Sequence, residues 1–540
     1  MQHYPSPQNT AALNERLGGP IGRRAAVSGV FFNPLPWAML AALLNWALLV
    51  IRQLPCVQEE AGHPVNNFLR LCYSDIPILF QSRGMGLGKG LFVEQPLEYP
   101  VLIVAFIVAM RWLTSLTGSY IGEDATSQQQ LDAANSFFAI TALFLGVLFL
   151  LTVWTHIRLG DLAGESRATG IRVRSWDAIL IAASPLVMLS GLINWDFLVI
   201  ALTSYCLLFW ARSKPFVSGL FLGLAFAAKF YPLVLIPALF LLCLRADKMK
   251  AFGYFIAGGA IAWLAVNVPY MAVSFTGWQY FWNFNVDRGA DLGSLWYMLK
   301  LAGLDLPHVS VWSVGAMTIC GLGIVWLTLR APMRPRLPQI AVLILIAFLA
   351  FNKVYSPQYV LWLLPFVVLA RPKVLDVGVW TIAETLYYLA IWGFLEGILG
   401  IGSGADRLYW LSILLRIGVQ FWIAYRVVND ILHPWRDPVR EPYVDDPAGG
   451  VLDHAVDASW MLRPLQASLQ TIPRRALPEQ DAGIAILSSE NAETFQESAV
   501  TGMLSAEEVP LHLNSEPTPE GDVLTPEPVR PKLDEAGTSD

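Results

Sequence analysis

The chain is expected to be an all-α protein that crosses a membrane many times, and three observations say so. Its 540 residues are 55% hydrophobic and only 14% charged, with a mean hydropathy of +0.50, far outside the range of water-soluble domains. Apolar runs of helical length recur from about residue 35 to 427. Basic residues fall in every second connection between those runs, as they do in loops kept on the cytoplasmic side of a membrane.

Residues 1–30 are polar, with Pro, Asn and Gly, and read as a disordered cytoplasmic N-terminus. No cleavable leader is convincing, because Arg23 and Arg24 precede an apolar run that reads as a first transmembrane helix. The runs lie at roughly 35–52, 98–117, 135–156, 177–193, 197–211, 216–228, 232–244, 251–270, 310–330, 338–351, 358–370, 374–395 and 408–427, giving a membrane domain over 31–436 with about 12–13 helices. Several are shorter than the ~20 residues of a full crossing, and such helices persist in a bilayer when packed inside protein or lining a cavity.

Orientation follows from the short connections. Arg212 and Lys214, then Arg245, Lys248 and Lys250, then Arg330, Arg334 and Arg336, then Arg371 and Lys373 mark the inner turns. The turns between them face outward: Asn194–Asp196, Lys229–Pro232, the loop from about Tyr270 to Tyr297, and Asn352–Tyr359. The first loop, 53–97, also faces outward if Arg23 and Arg24 are inside, yet the basic turn from Arg158 to Arg174 belongs inside as well. One apolar segment between 98 and 193 therefore fails to cross, and a short or re-entrant helix is expected there.

From Glu441 onward there are 19 acidic and 5 basic residues, which leaves 31 basic against 23 acidic in the remainder. The overall charge of −6 thus hides a basic membrane body and an acidic tail, 437–540, which is expected to be disordered and cytoplasmic. Cys206, Cys243 and Cys320 fall in apolar runs and read as packing residues. Cys56 and Cys72 share the first loop and could pair in an oxidising compartment.

Polar residues in the outward turns are the candidates for chemistry. The stretch from Leu71 to Pro100 is Gly-rich and carries Asp75, Glu94 and Glu98; it is either a solvated connector or a site. Lys229 sits deep in an apolar run, where a lysine costs about 2.5–3.5 kcal/mol at a helix centre. It either snorkels to the interface or binds an anion beside Tyr231, with Pro232 opening the next helix. Asn194 and Asp196 form a helix cap, a polar site, or both. Lys353, Tyr355, Ser356, Gln358 and Tyr359 are packed into one short turn; Tyr and Lys are ordinary interfacial anchors, but Gln358 is not. In Trp278–Tyr297, Arg288 offers a planar fork for phosphate or pairs locally with Asp287 and Asp291.

FNKVYSPQYVLWLLP and AAKFYPLVLIPAL are similar to membrane motifs of the catalytic subunit of the first mannosyltransferase of GPI assembly. NWDFLVIAL, AAKFYP, RGADLGSLWY and EYPVL together resemble more strongly the actinobacterial membrane glycosyltransferases of family 87, over about residues 70–370. That resemblance implies a GT-C fold, a catalytic Asp in the first outward loop and a lipid-phosphate sugar donor. The Asp maps to Asp75, flanked by Ser74 and Ile76 rather than by the second acidic residue many GT-C enzymes carry.

Under this resemblance Asp75 is the base, and Lys229, Arg288 and Lys353 bind the donor phosphate. Glu98, Asn194, Asp196, Tyr231, Asp291, Tyr355, Gln358 and Tyr359 would contact or orient substrate. The reaction is transfer of a sugar, mannose before arabinose, from a polyprenyl-phosphate donor to a lipid or glycan acceptor, with inversion, at the outer face of the cell membrane. The scheme calls for no cofactor or metal, and no His/Cys/carboxylate cluster in the sequence argues for one. Membrane lipids are expected partners and nucleic acid is not. The rival readings are a transporter or flippase, against which no internal repeat is evident, and an inactive scaffold whose tail does the work.

Overall fold

A computed structural model describes residues 33–57, 62–63, 65–164, 173–440 and 445–460. These fall within the first of two compact units, Met1–Ala467; the second, Ser468–Asp540, and the expected N-terminal segment 1–30 lie outside the described residues. The helices are α1 (Pro34–Val57), α2 (Asp75–Ser82), α3 (Val101–Leu116), α4 (Ser127–Asp161), α5 (Ile179–Ala182), α6 (Pro185–Ser190), α7 (Asp196–Ala211), α8 (Pro215–Ala228) and α9 (Leu235–Arg245). They continue as α10 (Met249–Val273), α11 (Phe275–Asp287), α12 (Leu295–Leu301), α13 (Val309–Arg330), α14 (Leu337–Phe351), α15 (Val360–Ala370), α16 (Val374–Leu395) and α17 (Asp406–Leu432). Six of these, α1, α4, α10, α13, α16 and α17, are long and apolar enough to cross a membrane. The shorter helices are packed among them: α7 and α15 bury most of their residues, as the limited length of their apolar runs requires.

The run 177–193 is the exception to a one-run, one-helix correspondence. It breaks at Ala183–Ser184, where Pro185 has no N–H to donate and Ser184 caps the restarted helix by accepting from Leu186 N. The carbonyls freed at the break are not left bare. Asn45 of α1, buried, donates through Nδ2 to Ala182 O (3.0 Å) and Ser184 O (2.9 Å).

Helix α3, at 16 residues, is short for a full crossing. It starts next to Tyr99, whose hydroxyl accepts from Asn194, and just past its end Gly122 N donates to Gly86 O, while Arg111 donates to Lys89 O (2.6 Å). Both of its ends therefore stay with the loop that precedes it.

Close helix packing is bought with small residues along α8 and α10. A Cβ on Gly219 would run into the Phe255 carbonyl, and one on Gly223 into the Gly259 carbonyl.

At the end opposite Asn194, buried arginines tie the helix connections together. Arg336 pairs with Asp437 through Nε (2.8 Å) and Nη2 (2.9 Å) and donates to the carbonyls of Leu369 and Ala370; Arg371 pairs with Asp376 and Asp430. The expected tail boundary at residue 437 needs correction. Residues 445–460 pack on this end: Leu337 N donates to Asp446 (2.9 Å), Trp210 Nε1 to Gly449 O (2.8 Å), and Arg245 pairs with Asp457 (2.7 Å). Acidic residues that look like solvated tail in one dimension are here the partners of arginines buried between helices, which could not stay charged without them. Residues 461–540 of that tail lie outside the described residues.

Candidate active site

Cys56, near the end of α1, and Cys72 form a disulfide with Cα atoms 6.0 Å apart. Arg52, one turn earlier, donates to Leu71 O (2.7 Å) and to the hydroxyl of Tyr388. Leu71 itself has a left-handed backbone (φ 56°), so these contacts hold a turn the residue would not adopt unaided. The chain then enters α2, where Ser74 caps by accepting from Ile76 N and donates to Leu192 O (2.6 Å), and Asp75 N donates to Ile193 O (2.8 Å). Asp75 is thus the first residue of a short helix anchored on the turn before Asn194. Removing the disulfide with Cys56→Ser/Cys72→Ser is expected to cost about 2–4 kcal/mol of stability. Because it tethers the approach to Asp75, turnover should fall too, and thermal unfolding and rate measured with and without reductant check both.

The Asp75 carboxylate accepts one neutral donor on each oxygen: Tyr73 OH (2.8 Å) and Asn194 Nδ2 (2.9 Å). Asn194 also donates to Tyr99 OH (2.7 Å), and its own Oδ1 accepts from Trp195 N, so its amide orientation is determined. Burial is the main influence on Asp75 and pushes its carboxyl above the usual range, with Asp196 adding in the same direction; Asn194, Tyr73 and the Lys229 charge act the other way.

Two positions past Asn194, Asp196 begins α7 and is buried. Its Oδ1 accepts from Lys229 Nζ (2.6 Å) and from Trp362 Nε1 (2.7 Å), and its Oδ2 has no partner. Lys229 lies where α8 ends, with Nζ 5.3 Å from the Trp362 ring centroid and 5.9 Å from that of Tyr359. Tyr231, Trp362 and Tyr359 form a continuous stack, at 4.7 and 3.8 Å between centroids, that walls the lysine in. The cation in the apolar run is therefore explained first by a resident carboxylate.

These groups open on one cavity of about 740 Å³, within the usual size of a ligand site. Asp75, Glu98, Asn194, Lys229, Tyr231, Arg288, Gln358 and Tyr359 all line it. Helix α11 contributes Phe281 and Phe284, and apolar residues of several helices, Leu233, Phe348 and Leu395 among them, complete the wall. Glu98 pairs through Oε1 with Arg83 (2.6 Å) while its Oε2 is unpartnered, and the buried Gln358 likewise has an unpartnered Oε1. Arg288 is held by Asp291 through Nε (2.9 Å) and Nη2, the local pairing the sequence allowed.

Four expected site residues do not line the cavity. Lys353 turns its Nζ to Val286 O (3.1 Å), capping the end of α11 rather than facing a ligand. Asp291 and Asp196 stand behind Arg288 and Lys229 as their partners. Tyr355 is fully enclosed, with the Arg416 guanidinium 3.4 Å from its ring centroid. Tyr73, Trp362 and Trp392, which do line the cavity, were not singled out in the sequence: an aromatic residue in a membrane chain carries no signal that separates a site from an interfacial belt.

Residues 129–352 match the model of glycosyltransferase family 87. The match fits a GT-C-type membrane glycosyltransferase and agrees with the motif resemblance. The family 87 region runs from α4 to the end of α14 and contains Asn194, Asp196, Lys229, Tyr231, Arg288 and Asp291. Asp75, Glu98 and the turn carrying Gln358 and Tyr359 lie outside it and complete the same cavity. No curated protein matches the chain in sequence.

The raised Asp75 carboxyl has a measurable consequence. On the reading of Asp75 as a general base, which must be unprotonated to act, activity is lost as pH falls through its value, and the acid limb should stand above the ordinary carboxylate range. Asn194→Ala removes a hydrogen bond that favours the charged form, so the limb should move to higher pH still. A kcat/KM profile of both proteins checks the direction.

Proposed function

We propose that the chain transfers a sugar, mannose before arabinose, from a polyprenyl-phosphate donor to the hydroxyl of a lipid or glycan acceptor, with inversion, at the outer leaflet of the cell membrane. One observation carries the reading. A carboxylate with only neutral hydrogen-bond donors on it, Asp75, shares a cavity with the cations Lys229 and Arg288.

The chemistry follows from that separation of charge. Asp75 takes the proton of the acceptor hydroxyl as its oxygen attacks the anomeric carbon, and the bond from that carbon to the donor phosphate oxygen breaks. The leaving phosphate is already acidic and needs its charge held more than it needs a proton, unlike the leaving group of glycoside hydrolysis. Asp196 takes one of three lysine donors and Asp291 two of five arginine donors, so each cation has donors left for phosphate. Glu98 Oε2 and Gln358 Oε1, acceptors without partners, suit sugar hydroxyls. Lys353 has no part in this scheme, because it does not line the cavity and its ammonium is turned to the Val286 carbonyl.

The outer location is supported from both ends. The disulfide beside Asp75 belongs in an oxidising compartment, and the buried arginine connections at the far end suit the cytoplasmic face. The test is incubation of purified protein in proteoliposomes with labelled polyprenyl-phosphate mannose and arabinose. Label passing from the lipid to an acceptor supports the proposal; label crossing the bilayer still attached to its lipid would make the protein a flippase.

A further inference from the structure

We propose that the buried Glu384–Arg416 pair is a positioning device for the cavity, setting the two loops that present Arg288, Gln358 and Tyr359. The inference rests on reading the cavity as the transferase site. Glu384 in α16 and Arg416 in α17 are both almost wholly buried, with Arg416 Nε 2.8 Å from Glu384 Oε2. Charges so deep in apolar helices are costly, and they persist where they do something packing cannot.

What this pair does is visible in where its other donors go. Arg416 Nη1 donates to Tyr355 O (2.9 Å) and Nη2 reaches Ser356 O (3.5 Å). The guanidinium lies between the rings of Tyr355 and Tyr387, at 3.4 and 4.1 Å from their centroids. Gln420 joins the two halves, donating to Tyr355 OH and to Glu384 (2.6 Å). The immobilised Tyr355 then fixes the neighbouring loop: its N–H donates to Leu292 O (3.3 Å), and Asp291 N donates to Lys353 O (2.9 Å). Gly293, at φ +76°, lets the two backbones approach; a Cβ there would collide with the Tyr355 carbonyl and the Tyr387 hydroxyl. Gly293 N in turn donates to Tyr409 OH (3.1 Å).

The loop at 291–293 carries the partner of Arg288, and the loop at 353–359 carries Gln358 and Tyr359 into the cavity. Arg416 does not line the cavity, so it is a positioning residue and touches no substrate. A guanidinium suits the task because one planar group reaches two successive carbonyls, faces Glu384 through Nε and stacks on the tyrosine rings at once.

The test compares wild type with Glu384→Gln/Arg416→Met, a neutral pair of similar volume, and with Arg416→Lys. Donor KM, acceptor KM and kcat are measured beside the thermal unfolding midpoint. Affinity for polyprenyl phosphate is also titrated by tryptophan fluorescence, since Trp362 and Trp392 line the cavity. Both variants should fold, with acceptor KM unchanged, phosphate affinity reduced and kcat over donor KM lowered by about 10²-fold in the double variant, the order expected for an ångström-scale misplacement. Arg416→Lys should fall between the two. Wild-type kinetics and phosphate affinity in a folded Arg416→Lys protein, or a lowered midpoint as the sole change in either variant, would overturn the proposal. Absence of transfer in the wild type would instead refute the transferase reading, and the fluorescence titration would still decide whether the pair positions the phosphate ligands.

Discussion

Asp75→Asn is expected to lower turnover by about 10²- to 10⁴-fold, the contribution of a positioned general base, while leaving the protein folded. Asparagine keeps the shape of the side chain. Its oxygen can accept from Asn194, and its amide can donate to the Tyr73 hydroxyl, which accepts as well as donates. What is lost is the capacity to take a proton. The measurement is the initial rate of label transfer from the polyprenyl-phosphate donor, alongside the thermal midpoint. Turnover at the wild-type level in this variant would take Asp75 out of the mechanism altogether.

Lys229 requires two substitutions to interpret. Lys229→Met alone leaves Asp196 buried with no cation, and breaking a buried pair from one side typically costs about 3–5 kcal/mol. A loss of activity in that protein would say little. Lys229→Met/Asp196→Asn removes both charges, and the asparagine oxygen can still accept from Trp362 Nε1. The double variant is expected to recover most of the stability and to remain about 10²- to 10³-fold slower than wild type, the usual cost of removing one group that holds a developing anion. Thermal midpoints and single-turnover rates separate the two effects. A stable double variant with wild-type turnover would make Lys229 a structural residue whose only role is to neutralise Asp196.

Much of the site was legible in the chain because polar residues in a membrane protein must be accounted for. Asp75, Asn194, Lys229, Arg288, Gln358 and Tyr359 were placed on one face by counting basic connections, and all six line one cavity. The same counting required one segment that fails to cross; α3, short and held at its far end to the loop before it, suits that expectation. Other residues were misplaced for a physical reason. Lys353 and Tyr355 sit next to Gln358 in sequence, but the turn between α14 and α15 points successive side chains in different directions, and only some of them into the cavity. Glu384 and Arg416 carried the same signal as Lys229, an ionisable group inside an apolar run, without a neighbouring motif to give it meaning.

Composition and the spacing of apolar runs were sufficient for an all-α membrane bundle, for its apolar helices and for the face on which the polar turns meet. Those are properties of segments, set by the need to bury apolar side chains and to satisfy each backbone locally. Pairing is a property of the assembled fold. Only the tertiary structure could show that Cys56 joins Cys72, that Lys229 already holds Asp196, and that acidic residues of the supposed tail neutralise arginines between helices. Each of those contacts joins groups well apart in the chain, and their distance in space is set by how helices pack rather than by any local preference of the residues themselves.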